Sequence, residues 1–590
     1  MGFNQNASVI FGQIGQMLEL LGGDRFRVNA ANKAARELKA QTQDLESMAL
    51  DEDIKGLTAI EGIGKGTAGK LVELAQTGEI SEHVELSAKV PSGLMEVLAV
   101  PGLGPKTAKL MWEDLKIESI EDLKKGIADG SVAGLPRMGA KTIENITAAI
   151  EFQESSGGRL HLGVARPIAV RFVELMESVE GTIRADFAGS LRRGEETIGD
   201  IDILIATTDA DAAREAFVGA EGVTRVLAEG DTKCSVRYKI GDLGGRFSGM
   251  AGPEEVQIDL RIVEENAWGA AMCYFTGSKD HNVALRKLAI KQGMTLNEYG
   301  LFKDSDDRGD PIACETEAGI YSAIGIALVP PTLRQDRGEI QYEELPDLIE
   351  VEDVKADLHT HTVDSDGKLT LEESVKIAQA RGFHTLAVTD HSQSSVIANG
   401  LKPDRLRAQI EMIREFDQQT KGLTVLAGSE VDILVDGSLD YDDDLLNELD
   451  VVVASPHAGL KAKPKQATKR LLKAIEHPAV HIIGHPTGRL IGRREGLEPD
   501  MNELIAAAVE HDVALEINAH WLRLDLRDTH VRAAVEAGCK IAIDCDVHRA
   551  EDYDNLIYGV LTGQRGRLTA EQCVNCWGKT RLHKWLKSKR

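Results

Sequence analysis

Apolar positions set the first division of the chain. Up to about residue 90 they recur at the three- and four-residue spacing of helices. Val9, Ile10, Ile14, Met17, Leu18 and Leu21 mark a first helix that Gly22-Gly23 ends. Residues 91 to 150 continue as short helical pieces broken by glycines. From about 181 the period shortens to two, and RADFAGS, GDIDILIAT and VQIDLRIV read as strands. Residues 263 to 328 return to mixed helix and loop, and the stretch VPPTLRQDRGEIQYEELPDLIEVED has proline, charge and little periodicity, as expected of a linker. From Ala356 onward, short apolar runs (TLAVTD, VVVAS, HIIGH, VALEIN, KIAID) alternate with helical stretches, the pattern of a β/α domain around parallel strands.

Composition narrows the class without deciding it. The 590 residues are 42% hydrophobic and 28% charged, ordinary for a globular protein of several domains. No run approaches the roughly 18 consecutive apolar residues of a membrane span, and MGFNQNASVIFGQIGQ has no basic start and apolar core of an export signal. Seven scattered cysteines fit a reducing, cytoplasmic setting. Cys573 and Cys576 form one CxxC, half a zinc site at best, and read as ordinary thiols. The formal charge of −27 argues by itself against a nucleic-acid partner. However, metal-binding carboxylates add to that charge while facing substrate phosphates, and backbone N–H groups can hold DNA without formal charge.

Two glycine hairpins point toward such backbone contacts. IEGIGKGTAGKL places Gly62 and Gly64 before a helix, and VPGLGPKTAKL places Gly102 and Gly104 in the same setting; Lys65, Lys70, Lys106 and Lys109 lie nearby. A third stretch, LPRMGAKTIENI, keeps Gly139 and Lys141 but has Arg137 in place of the first glycine. Glycine allows a tight turn and close approach of the backbone, and the following helix N-terminus offers unpaired N–H groups to phosphate. The segments resemble the helix-hairpin-helix, which grips DNA without reading its sequence.

The stretch AGSLRRGEETIGDIDILI carries the first candidate chemistry. Asp200 and Asp202 point to one face of a strand, while Ile201, Ile203 and Ile205 point to the other. In VQIDLRIV, Gln257, Asp259 and Arg261 share one face opposite Val256, Ile258, Leu260 and Ile262. If the two strands are neighbours, three carboxylates converge, a set suited to two divalent cations in phosphoryl transfer. Gly189 and Ser190 can approach a nucleotide phosphate, with Arg192 and Arg193 supplying charge.

GSLRRGEETIGDID resembles the signature of family X DNA polymerases, the polymerase beta-like nucleotidyltransferases, and YFTGSKDHNVALR is similar to that family's nucleotide-binding segment. The resemblance covers about residues 1 to 330. It implies that Asp200, Asp202 and Asp259 are catalytic and hold two Mg2+ or Mn2+ ions. Gly189, Ser190, Arg193 and Gly194 would form the triphosphate site. Tyr274, Phe275 and Gly277 would line the sugar pocket, and Asn282 and Arg286 would meet the nascent base pair. The N-terminal part resembles the family's lyase-type domain, with Lys70 at the place of the Schiff-base lysine and Arg27 where a 5′-phosphate contact is usual. A lysine after a hairpin is also a generic phosphate contact, and both readings of Lys70 stay open.

The second constellation follows the linker. His359, His361 and Asp366 stand in ADLHTHTVDSDG. Asp390 and His391 end TLAVTD, Glu430 ends VLAGSE, and His457 and His485 follow VVVAS and HIIG. Asp546 and His548 follow KIAIDC. Nearly all sit at or just past strand ends, which form one rim in a parallel β/α barrel. Imidazole with carboxylate and without thiolate suits zinc or manganese used for chemistry, here metal-assisted attack of water on phosphorus. This half resembles polymerase-and-histidinol-phosphatase (PHP) domains over about residues 353 to 585, which implies a distorted seven-stranded barrel and three metal ions, Mn2+ or Zn2+. By that likeness His359, His361, Glu430 and Asp546 hold one ion. Glu430 bridges to a second with His457 and His485, and Asp366, His391 and His548 hold a third. Asp546 is flanked by Cys545 and Val547 where threonine and alanine are more usual, which removes no ligand. Arg493 and Arg494 suit a phosphate contact or a solvated loop equally.

The expected molecule is therefore multidomain α/β. A lyase-like helical domain over 1–90 and a fingers-like helical domain over 91–153 precede an α+β nucleotidyltransferase palm (154–262) and thumb (263–329). A linker (330–352) leads to a PHP phosphoesterase barrel (353–590). The fused arrangement resembles prokaryotic family X polymerases. It implies filling of short DNA gaps from deoxynucleoside triphosphates in base excision repair, with a metal-dependent 3′-to-5′ exonuclease and an abasic-site endonuclease as a further activity. A monomer is the default expectation. A template-independent nucleotidyltransferase, a small-molecule phosphatase and an inactive DNA-binding scaffold are the competing readings.

Overall fold

The computed structural model describes residues 3–40, 45–60, 62–91, 93–98, 100, 103–136, 138–139, 142–143, 146–147, 150, 159–240, 255–303, 309–342 and 344–589. They fall into two compact units, Met1–Arg159 with Lys239–Glu255, and Leu160–Tyr238 with Val256–Arg590.

The first unit is helical. Helices Phe3–Leu20 and Arg25–Ala40 pack together around Phe11, Ile14, Met17, Leu18 and Leu38. Val9, expected on the buried face, is 43% exposed; the face is completed instead by Ala7 and Phe11, in step with Ile14 and Leu18. The first hairpin is present: Gly62 sits at φ +85°, and Gly64 precedes the helix Lys65–Thr77 without a side-chain cap. Gly104 stands in the same relation to Pro105–Leu115, while Gly102, Arg137 and Lys141 lie outside the described residues. A Cβ at Gly64 or Gly104 would meet nothing within 4 Å. Both helix N-termini are therefore open and uncapped.

The second unit contains two sheets that matter for chemistry. One has five strands in the order Thr182–Phe187, Asp200–Thr207, Glu255–Val263, Lys233–Lys239 and Val223–Glu229. Its two central strands are parallel neighbours, as the convergence of the carboxylates requires. Ile201, Ile203, Ile205, Val256, Ile258 and Leu260 are fully buried. At about 1.5–3 kcal/mol for each such side chain, their burial fixes which face the aspartates must take. The outer hairpin Val223–Glu229 and Lys233–Lys239 was not anticipated from the sequence. Residues 263–328, read as helix and loop, also contain a hairpin, Met294–Asn297 with Gly300–Lys303.

The other sheet has seven parallel strands in chain order: Ala356–Thr360, Thr385–Val388, Thr424–Asp432, Val451–Ser455, Ile482–Ile483, Ala514–Asn518 and Lys540–Asp544. It nearly closes on itself, since Thr360 bridges to Val547 and His361 N–H donates to the Val547 carbonyl at 2.8 Å. Inside, Leu358, Val453 and Ile482 pack with Trp577, Leu582 and Trp585 of the C-terminal helix region. Cys573 and Cys576 are free thiols, and the hydrogen bond between them, then burial, raises Cys576 far above its usual range.

The segment 330–352 joins the two sheets as a packed brace. Thr332, Leu333, Arg334, Glu339 and Ile349 are buried. Arg334 pairs with Glu317 at 2.6 Å, and Glu339 meets His281 Nδ1 at 2.6 Å. Its low periodicity reflects three short 3-10 turns and buried ion pairs rather than a loose tether.

Candidate active sites

In the five-stranded sheet Asp202 lies directly opposite Asp259, with Asp200 opposite Gln257. Adjacent strands are about 4.8 Å apart, so the three carboxylates share one small volume. Gly189 makes room for them. It has φ +64°, and a Cβ there would stand 2.4 Å from Asp202 Oδ2. Burial, then the charges of Asp200 and Asp259, push Asp202 up to about 7. Crowded carboxylates that repel one another in a buried place fit divalent cations bound through oxygen. Lys233 Nζ, which the sequence did not single out, stands 2.9 Å from Asp259.

The helical turn Gly189–Arg192 follows the first strand, with Ser190 half-buried at its start. The two arginines part ways. Arg192 forms a bidentate pair with Glu317 at 3.0 and 2.7 Å, so its charge is committed within the protein. Glu317 is correspondingly held at about 2: burial opposes this, and Arg192 and Arg334 overcome it. Arg193 donates to the Thr276 carbonyl at 2.5 Å, beside Gly277. Tyr274, Asn282 and Arg286 line one cavity with Cys273 and Asn297, and Asn282 Nδ2 donates to the Tyr274 carbonyl at 2.7 Å. Phe275 lies edge-on to Tyr274 and under Arg261. His281 anchors this segment between Glu339 and the Tyr321 hydroxyl, a role that no sequence motif signalled.

In the helical unit, Lys70 and Arg27 meet on one carboxylate, Glu82. Burial raises Glu82, but the two cations hold it below its ordinary value.

At the rim of the barrel every candidate ligand comes together. Three groups could each hold an ion: His359, His361 and Asp546; His391, Glu430 and His457; and His361, Asp366, His391 and His548. Glu430 is the centre. Its oxygens lie 2.8 to 3.7 Å from His391, His485, His457, His359 and His361. His391 thus stands between Glu430 and Asp366 rather than beside Asp366 alone, and His485 reaches the cluster through Glu430 at 2.9 Å. His359 Nε2, both nitrogens of His361, His391 Nδ1 and Glu430 Oε2 are buried and make no hydrogen bond of good geometry, although His391 Nδ1 and Glu430 Oε2 stand 2.8 Å apart. Buried polar atoms left unpaired in such number are costly, and metal coordination satisfies them. His485 and Asp546 take positive φ, 25° and 52°, so two of the candidate ligands sit on strained backbone.

The charge states suit ligands. Burial and the neighbouring His548 and His391 lower His361 to about 3, and burial with Arg523 lowers His485 to about 3, so both rings are neutral. Burial disfavours charge on His457 as well, but Glu430 and Asp432 raise it to about 10 in the metal-free protein. Binding of cations at neutral pH must therefore release protons.

Residues outside the sequence motifs hold the rings in place. Glu516 meets His359 Nδ1 at 2.7 Å, Asp432 pairs with His457 Nδ1, and Asn518 Nδ2 donates to Asp546 at 3.0 Å. Asp390, which sits among the strand-end carboxylates, is an anchor: it accepts from Thr362 N–H at 2.8 Å and from the Thr362 hydroxyl at 2.6 Å. Asp432→Asn is expected to weaken metal affinity about 10- to 100-fold, measured as the Mn2+ concentration giving half-maximal hydrolysis. An unchanged half-point contradicts the role given to Asp432.

The folds and sites together define a polymerase beta-like nucleotidyltransferase joined to a PHP barrel and preceded by helix-hairpin-helix segments. Family comparisons agree. Residues 3–80 match a helix-hairpin-helix domain and 94–151 a SAM-like helix-hairpin-helix tandem. Residues 167–253 match the DNA polymerase beta palm, 271–335 its thumb, and 357–520 the PHP domain. The chain is 36% identical over 559 residues to the DNA polymerase/3′-5′ exonuclease PolX of Bacillus subtilis (strain 168), covering 95% of each. It is 25% identical over 328 residues to DNA polymerase lambda of Rattus norvegicus, 53% of each chain. It is 28% identical over 208 residues to a probable phosphatase of Thermoanaerobacter sp. (strain X514), 33% of this chain and 80% of that one. The chain belongs to the family X DNA polymerases that carry a C-terminal PHP domain. No described helix is long and apolar enough to cross a membrane.

Proposed function

We propose that the chain fills short DNA gaps by templated addition of deoxynucleotides and trims DNA 3′ ends at the barrel rim. The observation that carries this is the presence of two separate phosphoryl-transfer constellations in one chain: Asp200, Asp202 and Asp259 on paired strands, and the imidazole–carboxylate ring around Glu430. At the first, two Mg2+ or Mn2+ ions would clamp the attacking and leaving oxygens. Gly189, Ser190, Arg193 and Gly194 receive the triphosphate, and Tyr274, Phe275, Gly277, Asn282 and Arg286 receive the nucleoside. At the second, His359, His361, Asp366, His391, Glu430, His457, His485, Asp546 and His548 would hold three Mn2+ or Zn2+ ions that polarise water and phosphate. Gly62, Gly64, Gly102, Gly104 and Lys106 contact DNA backbone. Trimming followed by filling places the protein in base excision repair, with abasic-site cutting as a further hydrolysis at the same rim. A cytoplasmic monomer is part of this reading.

The test follows a 5′-labelled primer annealed across a short gap with Mn2+, with and without deoxynucleotides. Template-directed lengthening with nucleotides and stepwise shortening without them are expected. Shortening alone removes the polymerase half of the proposal. The likeness of 208 residues to a probable phosphatase favours one second reading: turnover of a small phosphomonoester, assayed in parallel, without any turnover of DNA establishes it.

A further inference from the structure

The loop that carries Arg193 is held from the barrel side. Helix Leu556–Arg565 belongs to the PHP barrel, and its last residue, Arg565, is 6% exposed. Its Nη1 donates to the Arg193 carbonyl at 3.0 Å. Its Nη2 lies 3.0 Å from Glu195 Oε2 and 2.9 Å from Asp528 Oδ2. Arg337 of the brace meets the same Asp528 oxygen at 3.0 Å. Gly194, at φ +65°, lies against this helix, and a Cβ there would stand 3.1 Å from the Leu561 side chain. Two residues on, Glu196 forms a two-pronged pair with Arg489, also of the barrel. The loop Arg193–Glu196 thus ends against three arginine-bearing contacts contributed by the other catalytic half.

Arg193 itself is suspended between two attachments. Nη1 donates to Thr276, and Nη2 faces Glu195 Oε1 at 3.5 Å, while Nε is buried without a partner. Glu195 therefore divides its carboxylate between Arg193 and Arg565. Without Arg565, the Glu195 charge would act on Arg193 alone, and the Arg193 carbonyl would lose its donor. Both changes move the guanidinium that faces the nucleotide.

We infer that Arg565, a residue of the PHP barrel, is a positioning residue for the nucleotide site of the polymerase half, acting through Glu195 and the Arg193 main chain. The inference rests on the polymerase reading above. It predicts a split that a general loss of stability cannot produce. In the full chain, Arg565→Ala should raise the KM for deoxynucleotide about tenfold or more. It should change kcat for incorporation less than threefold and leave exonuclease turnover within twofold. Arg565→Lys, which keeps the charge but cannot reach three acceptors in a fixed fork, should fall between. Glu195→Gln alters the same link from the palm side and should raise KM in the same direction, which keeps the test available if Arg565→Ala does not fold. An unchanged KM in folded Arg565→Ala, or a parallel fall of both activities, overturns the inference. Failure of the wild-type chain to incorporate nucleotides at all overturns the polymerase reading, and this inference with it.

Discussion

Asp202→Asn should abolish nucleotide incorporation, by about 1,000-fold or more given the usual cost of removing a group that stabilises transition-state charge, and leave 3′ shortening within twofold. Asp202 lies opposite Asp259 and against Gly189. An amide keeps the shape but cannot offer a second negative oxygen to a cation. The same substitution has an opposite effect on stability. Asp202 is raised from 3.8 to about 7, chiefly by burial and then by Asp200 and Asp259. A raised folded value means that the folded state holds a proton the unfolded chain has released, between about pH 4 and 7. The metal-free wild type therefore loses stability as pH rises through that window, and the loss is complete above it. Asp202→Asn removes the penalty, so in chelator at pH 8 the inactive variant should resist urea better than the wild type. Conversely, divalent cations must displace this proton, and their apparent affinity at the palm should fall up to tenfold per pH unit below about 7. Primer extension, urea denaturation in chelator and metal titration at pH 6 and 8 measure the three effects. Persistent incorporation by Asp202→Asn places the chemistry elsewhere.

The sequence made the reacting groups legible because chemistry restricts them more tightly than packing does. The alternation in GDIDILIAT and VQIDLRIV sufficed to place three aspartates on one face, and only strand adjacency remained to be shown. The barrel ligands were legible because apolar runs ended on His, Asp or Glu at one strand after another. What the sequence hid lies one layer further out. Glu516 and Asp432 belong to no motif: each is a strand residue whose meaning depends on which histidine lies across the rim. Glu516 stands inside the apolar run VALEIN, on the same strand face as Asn518 two residues on, and a carboxylate within such a run was a usable signal. Lys233 escaped notice with its whole hairpin. In KCSVRYK, Cys234, Val236 and Tyr238 alternate with Lys233, Ser235, Arg237 and Lys239, the period of a strand, and Gly230-Asp231 before it is a turn signal, so this hairpin was legible in the sequence. The segment 330–352 was read by composition, and composition cannot show that Arg334 and Glu339 are buried against Glu317 and His281. Arg192 was likewise grouped with Arg193, although only the fold shows its charge bound to Glu317.

The two catalytic halves are joined by charge as well as by chain. Arg489 and Arg565 of the barrel meet Glu196 and Glu195 of the palm. Buried ion pairs add little net stability, but breaking one by removing a single partner costs about 3–5 kcal/mol. Such contacts therefore specify how the palm loop sits against the barrel more than they strengthen the fold.

Glu430→Gln is the counterpart at the barrel and should remove 3′ shortening, again by about 1,000-fold or more, while leaving incorporation within threefold. The side chain is 1% exposed and faces five histidines, more than Asp546 or Asp366 meets at the rim. Glutamine offers one neutral oxygen and an amide NH2 whose hydrogens repel cations. Metal content by elemental analysis should therefore fall by at least one ion per chain. Burial raises Glu430, but His457, His391 and His359 hold it well below 4.5 in the metal-free protein. A lowered folded value contributes stability above the unfolded value and loses it as pH falls through the folded one. In chelator at pH 7 the variant should accordingly be less stable than the wild type, the reverse of Asp202→Asn. Two single-atom-class substitutions thus separate the activities and carry opposite signs in stability. Retention of full exonuclease and full metal content by Glu430→Gln overturns the assignment of Glu430 as the shared ligand.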